Sequence, residues 1–260
     1  MSYETADGIR RSDLWVISKS PLHFKYHMEN KDAKKSAALE FGSMVHMLLL
    51  EPERFSEQYV VIESEPINRR TKAGREDYDR LMEFCKSINK QPIYQCDFEP
   101  IAYMVHAVKD SSAWPLISGG EYEKEFYWTD DVTGEQCKCK VDCVTEYEGK
   151  PYIVDYKTVN SCDDGHFERA ARKYGYQFQA GMYCEGLFQN TLTEYGFAFV
   201  AQEKTPPYAV RVYVCDREWI NRGYDKFREL IGIYHECKQT GNWYGYEGPE
   251  GLPVQLLEED

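Results

Sequence analysis

Two acids and a lysine stand close together in the middle of the chain, and their types suit phosphate chemistry. Asp155, Tyr156 and Lys157 end an apolar run, Tyr152-Ile153-Val154, and Asp142 lies on the run before it, Val141-Asp142-Cys143-Val144. The segment between them, Glu146-Tyr147-Glu148-Gly149-Lys150-Pro151, carries the glycine and proline that mark a hairpin. Side chains alternate along a strand, so Ile153, Asp155 and Lys157 share one face while Val154, Tyr156 and Thr158 share the other. Across the hairpin Asp142 reaches the same spot. Two carboxylates beside an ammonium fit a hard divalent cation with an activated water. An isolated Asp-x-Lys is more commonly a surface ion pair on an edge strand, so the reading depends on what else converges there.

Three other segments are candidates to converge. A helix is expected over about 36–51, where Phe41, Val45, Leu48 and Leu49 recur at i, i+4, i+7 and i+8 and Pro52 forces a stop. Gly42 and His46 lie four apart beside that stripe. Glycine is a poor helix former and leaves room for a close approach; His46 is either a core-edge histidine or a ligand. A helix over about 176–189 places Gln179 and Tyr183 on one face. Basic residues are densest in Asn68–Arg75, with Arg69, Arg70, Lys72 and Arg75; this is a solvated loop or a phosphate-contacting one. Lys138 and Lys140 share a strand face with Asp142.

These residues need a scaffold, and the 260-residue chain has the material for one. It is 42% hydrophobic and 15% aromatic, which makes it a folded protein. No run of about 18 apolar residues exists to cross a membrane, and Met1–Asp7 has no signal-peptide pattern, so a cytoplasmic setting is expected. Nine cysteines, an odd number in a chain of this size, fit reduced thiols. Cys137, Cys139 and Cys143 alternate onto one strand face as a packed row, and the lack of any C-x2-C pair argues against a zinc ribbon or an iron–sulfur cluster. The net charge of −13 opposes contact with nucleic acid unless cations are grouped locally.

The elements read in order as two helical pieces over 12–29 with Ser20-Pro21 as a cap, a charged connector over 31–35, the helix over 36–51, and a strand over 58–63. Helices over 75–88 and 97–113 follow. Strands over 121–128 and 135–145 lead into the hairpin, then Asp163-Asp164 caps a helix that breaks at Gly175. After the helix over 176–189 come strands over 194–202 and 208–214, a helix over 216–238, and an aromatic tail from Gly241. This predicts one α/β domain: a helical portion over about 1–120, a core over about 121–240 and a tail over 241–260.

The string Phe41-Gly42-Ser43-Met44-Val45-His46, then Asp142, then Asp155-Tyr156-Lys157, then Gln179-Ala180-Gly181-Met182-Tyr183 resembles the RecB-type branch of the PD-(D/E)xK nucleases. Further segments extend the likeness to the RecE (exonuclease VIII) nuclease domains of phage and prophage type. They are Ile17–Ser20, Leu49–Phe55, Asn68–Thr71, Tyr127-Trp128 and Cys137–Lys140, within a span from about 8 to 245. The resemblance implies a restriction-endonuclease-like core, a mixed central sheet flanked by helices. It implies that His46, Asp142 and Asp155, with the Tyr156 carbonyl, ligate Mg2+ or Mn2+, and that Glu123 assists a second metal. Lys157 would orient or deprotonate the attacking water, Gln179 and Tyr183 would hold the phosphate backbone or the Lys157 region, and no nucleotide cofactor is expected. The implied activity is exonucleolytic digestion of linear duplex DNA from 5′ ends by a ring-like oligomer, such as a tetramer, with a RecT-type single-strand annealing protein as partner. A basic channel of Arg69, Arg70, Lys72, Lys138 and Lys140 would then coexist with an acidic outside. An endonuclease or single-strand nuclease, or a non-catalytic module that binds DNA ends, are the alternatives.

Overall fold

The computed structural model describes residues 3–30 and 37–251. The expected charged connector over 31–35 and the end of the tail lie outside that range. The chain opens on a two-residue strand, β1 (Ile9–Arg10), and a short helix, α1 (Arg11–Leu14), which passes through a 3-10 turn into α2 (Pro21–Glu29). Ser20 caps α2: its hydroxyl accepts the His23 amide, and Pro21 fills the first helical position, where a missing N–H costs nothing. Helix α3 (Ala37–Leu50) buries Val45 and Leu49 as its pattern requires. Then come α4 (Pro52–Gln58), β2 (Tyr59–Ile62), α5 (Lys72–Ser87), β3 (Gln91–Tyr94), α6 (Gln95–Lys109) and α7 (Trp114–Ile117). The second half runs β4 (Glu121–Thr129), β5 (Gln136–Tyr147), β6 (Lys150–Val159), α8 (Asp164–Tyr174), α9 (Tyr176–Thr191), β7 (Gly196–Glu203), β8 (Val210–Cys215) and α10 (Arg217–Thr240). Asp163 and Asp216 cap α8 and α10, accepting the amides of His166 and Trp219.

The fold is mixed α/β, with a central mixed sheet flanked by helices. Strand order in the six-stranded sheet is β1-β5-β6-β7-β8, with β4 on the other edge of β5. Contacts β4–β5, β5–β6 and β7–β8 are antiparallel, while β6–β7 and β1–β5 are parallel. Alternation along the strands divides the core in two. Ile153, Phe197, Phe199 and Ala201 pack with Phe167, Phe178, Met182 and Phe227 of the C-terminal helices. Val154, Tyr156 and Val200 pack with Val45, Leu49, Ile101 and Met104 of α3 and α6.

Two departures from the sequence reading matter. The strand expected over 58–63 forms as β2, but it pairs in parallel with a strand that was not expected, β3, and a further unexpected strand, β1, joins the main sheet. The cysteine row is buried as expected but shared out, since Cys137 and Cys139 enter the larger core cluster and Cys143 the smaller. Among the described residues no helix is long and apolar enough to cross a membrane.

Candidate active site

The site lies where β5 and β6 part. Their ladder runs from Tyr147↔Lys150 at the turn to Cys143↔Val154 and ends there. The next pair in that register is Asp142 and Asp155, two acids set opposite each other at the mouth of a fork. Beyond it, β5 takes β1 on the same edge at Cys137 and Lys138, so residues 139–142 face a gap. On the far edge of β5, the β4 ladder pairs Tyr122 with Cys143 and Lys124 with Val141, and skips Glu123 opposite Asp142. Glu123 has φ 53, a left-handed conformation that strains a side chain bearing Cβ and that concentrates at functional sites. Glu123, Asp142 and Asp155 therefore form one row across three strands.

His46 bridges two members of that row. Its Nε2 lies 3.0 Å from Asp142 Oδ2 and its Nδ1 lies 3.2 Å from Glu123 Oε1. Helix α3 delivers it because Gly42, one turn earlier, sits against β6: a Cβ there would come within 3.1 Å of Thr158 Oγ1. Both imidazole nitrogens face carboxylates, which suits the doubly protonated ring. Burial alone would depress the His46 pKa, but Asp142 and Glu123 outweigh it and raise it to about 9. Asp142 also accepts the Tyr156 amide at 2.8 Å. Burial opposes its ionisation, yet His46, Lys157 and that amide bring its pKa below the usual carboxylate value.

Asp155 is held differently. It is 2% exposed; its Oδ1 accepts the Gln179 amide, and its Oδ2 lies 2.5 Å from Lys157 Nζ. Burial is the strongest influence on it and Asp142 adds to the same direction, so its pKa climbs to about 6 against the pull of Lys157 and Arg11. Lys157 also lies 5.2 Å above the Tyr176 ring. Gln179 reaches Asp155 because α9 and α10 cross at contact distance, where a Cβ on Gly181 or Gly223 would strike the backbone of the other helix's segment. On the reverse face of β6 the Tyr156 hydroxyl donates to Gln202, which in turn donates to the carbonyls of Met104 and Tyr208. The row stands on a strand anchored from behind.

A cavity of about 260 Å³ opens at the fork, lined by Asp142, Asp155, Lys157, Gln179, Tyr183 and Lys140 together with Tyr3, Arg10, Arg11 and Ser12. Burial lifts the Tyr183 phenol well above its ordinary pKa, so it stays protonated and able to donate.

Residues 11–249 match the family described as a PDDEXK-like domain of unknown function (DUF3799). The chain belongs to this family. The PDDEXK-like domain also aligns with a crystal structure from Eubacterium rectale, described as a candidate exonuclease, at TM-score 0.61 and 14% identity, over 100% of this chain and 96% of that one. At that identity the alignment speaks for the fold. A second solved structure, SSO0001, aligns at TM-score 0.31 and 15% identity over 75% of this chain and 87% of its own, too loosely to support any argument. No curated protein matches the chain.

The residues singled out from the sequence thus come together from α3, β4, β5, β6 and α9. His46, Glu123 and Asp142 offer three ligand atoms within 4.8 Å of one another. Two carboxylate oxygens and an imidazole nitrogen fit Mg2+ or Mn2+ in donor type. Among the described residues, Asp155 Oδ2 has no hydrogen-bond partner beyond its ion pair with Lys157.

Not every expected residue joins them. Lys138, expected in a DNA channel, is 3% exposed; its ammonium donates to the carbonyls of Tyr3 at 2.7 Å and Ala6 at 2.6 Å. Its face of β5 is covered by the N-terminal segment, so it fastens that segment and does not meet solvent. Lys140 does line the cavity but is engaged by Glu123. Arg69, Arg70 and Lys72 are not among the lining residues. Arg69 stacks on Tyr78, and Lys72 lies 3.8 Å from Glu76 on exposed α5. The residues the sequence did not offer are Tyr3, Arg10, Arg11 and Ser12. A two-residue strand has no periodicity to read, and only its pairing with β5 brings Arg11 to the acids.

Proposed function

We propose that this chain is a metal-dependent exodeoxyribonuclease of the RecE type, hydrolysing linear double-stranded DNA from 5′ ends and leaving 3′ single strands for recombination. The observation that carries it is the acidic row at the fork, with Lys157 ion-paired to its innermost member. His46, Asp142 and Asp155 would hold Mg2+ or Mn2+, with the Tyr156 carbonyl and Glu123 as further oxygen donors. A divalent ion bound there neutralises phosphate charge and lowers the pKa of water. The chain's own groups do the rest. Lys157 Nζ balances negative charge growing on the phosphoryl oxygens and is within reach of the attacking water. Gln179 fixes the Asp155 carboxylate, so that its free lone pairs keep one direction. Tyr183 donates to the strand. The oxygen of water bonds to phosphorus, the bond from phosphorus to the sugar oxygen breaks, and that oxygen takes up a proton.

The ring-like homo-oligomer and a RecT-type partner belong to the same reading. Their support is the resemblance. The test is digestion of linear duplex labelled at either end, and of a closed circle, by wild type and Asp155→Ala with Mg2+ or EDTA. Loss of linear DNA alone, from 5′ ends and abolished by both Asp155→Ala and EDTA, is the expected result. Cutting of the circle would replace this reading with an endonuclease; binding without cutting would leave a module for DNA ends.

A further inference from the structure

Four cations line the cavity at the fork, and three of them already hold carboxylates. Arg10 pairs with Glu4 at 2.7 Å and Asp13 at 3.0 Å, Lys140 pairs with Glu123, and Lys157 with Asp155. Arg11 differs. Among the described residues it has no carboxylate at ion-pair distance: its Nη2 donates to the Tyr174 carbonyl, and its Nε is buried with no hydrogen-bond partner. Gln179 Oε1, in the same cavity, is also buried and has no partner among the described residues. A guanidinium whose Nε is buried with a donor to spare is costly, because the desolvation of that nitrogen is not offset by a partner. Burial accordingly pulls its pKa down, against the influence of Tyr183, Asp155 and Tyr176. An anion in the cavity would supply what is missing.

We infer that Arg11 is a substrate-binding residue whose buried Nε takes a non-bridging oxygen of a phosphoryl group, so that the N-terminal segment completes a phosphate seat facing the acidic row. The planar guanidinium matches phosphate geometry, and the hydroxyls of Ser12, Tyr3 and Tyr183 on the lining suit a tetrahedral oxyanion with several oxygens to satisfy. That the phosphoryl group belongs to a DNA strand rests on the nuclease reading; the seat itself does not. It also gives β1 a purpose. Pairing of Ile9 and Arg10 with Cys137 and Lys138 sets the position of the next residue, Arg11, beside the fork.

The test is thermal melting of the full chain with Mg2+ present, with and without inorganic phosphate, for wild type, Arg11→Gln and Arg11→Lys. Phosphate is expected to raise the wild-type midpoint and to leave that of Arg11→Gln unchanged. Without phosphate, Arg11→Gln is expected to melt no lower than wild type, since it removes a cationic group whose buried Nε has no partner. On duplex DNA, Arg11→Gln should lower the slope of log affinity against log salt by about 1, the loss of one phosphate contact. Arg11→Lys should keep the slope but bind more weakly, lacking the planar fork. An Arg11→Gln midpoint well below wild type would make the residue a structural clamp on Tyr174 and overturn the inference. So would a phosphate response absent from wild type or undiminished in Arg11→Gln. A phosphate response that depends on Arg11 in a protein that cuts no DNA would uphold the seat while removing the nuclease reading.

Discussion

The two ends of the β5–β6 hairpin share the same strands and the same alternation, and they do opposite things. From Cys143 to Tyr147 the ladder is continuous, and Ile153 and Val154 send side chains into two separate cores. One residue further, at Asp142 and Asp155, pairing stops, and three acids stand in a row across β4, β5 and β6. Like charges set opposite on neighbouring strands are destabilising, which is a reason for the ladder to open there. The row persists because His46, Lys140 and Lys157 lie among its members. The same contrast recurs inside the site. Asp142, beside His46 and an amide, is held ionised, while Asp155, deeper and beside another acid, titrates near 6. Environment, and not residue type, sets the two carboxylates' ionisation apart. One end of the hairpin stabilises the fold; the other spends some of that stability on charge held in place.

The largest effect that would test this contrast is at the fork. Asp155→Ala should lose roughly 10³-fold or more of any cleavage activity while melting close to wild type, because it removes a group needed for chemistry and also an acid the fold must accommodate. Ile153→Ala, two residues away on the same face, should do the reverse. Its fully buried side chain leaves a cavity costing about 2–5 kcal/mol, read by denaturant melting, with activity per folded molecule unchanged. If both variants lose stability and activity together, the two ends are not separable.

Gln179→Ala should have a smaller effect, a 10- to 100-fold loss in metal affinity or activity, the usual range for a residue that orients a ligand. Calorimetry with Mn2+ and a cleavage assay would read it. Metal binding should also carry a proton. His46 is raised from an unfolded value near 6.5 to about 9, so its charge stabilises the fold fully below about pH 6.5 and loses that effect as pH rises to 9. A cation displacing that proton should therefore bind more tightly as pH climbs through the same window. Calorimetry in two buffers of different ionisation enthalpy would count the proton released, and a pH-independent affinity would exclude His46 as a ligand. The smallest effect on DNA affinity is expected from Lys138→Met. Its salt dependence should match wild type, while the N-terminal segment becomes easier to cleave with a protease, because two of its carbonyls lose their donor.

Much of the site was legible because its signals are local. The period of 2 placed Asp155 and Lys157 together, the helical period placed Gln179 with Tyr183, and the smallness of Gly42 marked where α3 meets β6. Caps at Ser20 and Asp163 fixed two helix starts for the same reason, each bonding an amide three residues on. Lys138 shows the limit. Its face of β5 was read correctly, but what covers that face comes from more than 130 residues earlier in the chain.

The sequence by itself determined which side chains could do chemistry and in what order they come, since residue type and near-neighbour spacing are properties of the chain. Tertiary structure decided the rest: the register that puts Glu123 opposite Asp142, the parting of β5 from β6, and the insertion of β1 that carries Arg11 to the cavity. Those depend on backbone pairing between distant segments. A strand of two residues, or a gap in a ladder, leaves no periodic trace in sequence and acquires meaning only when its partners are in place.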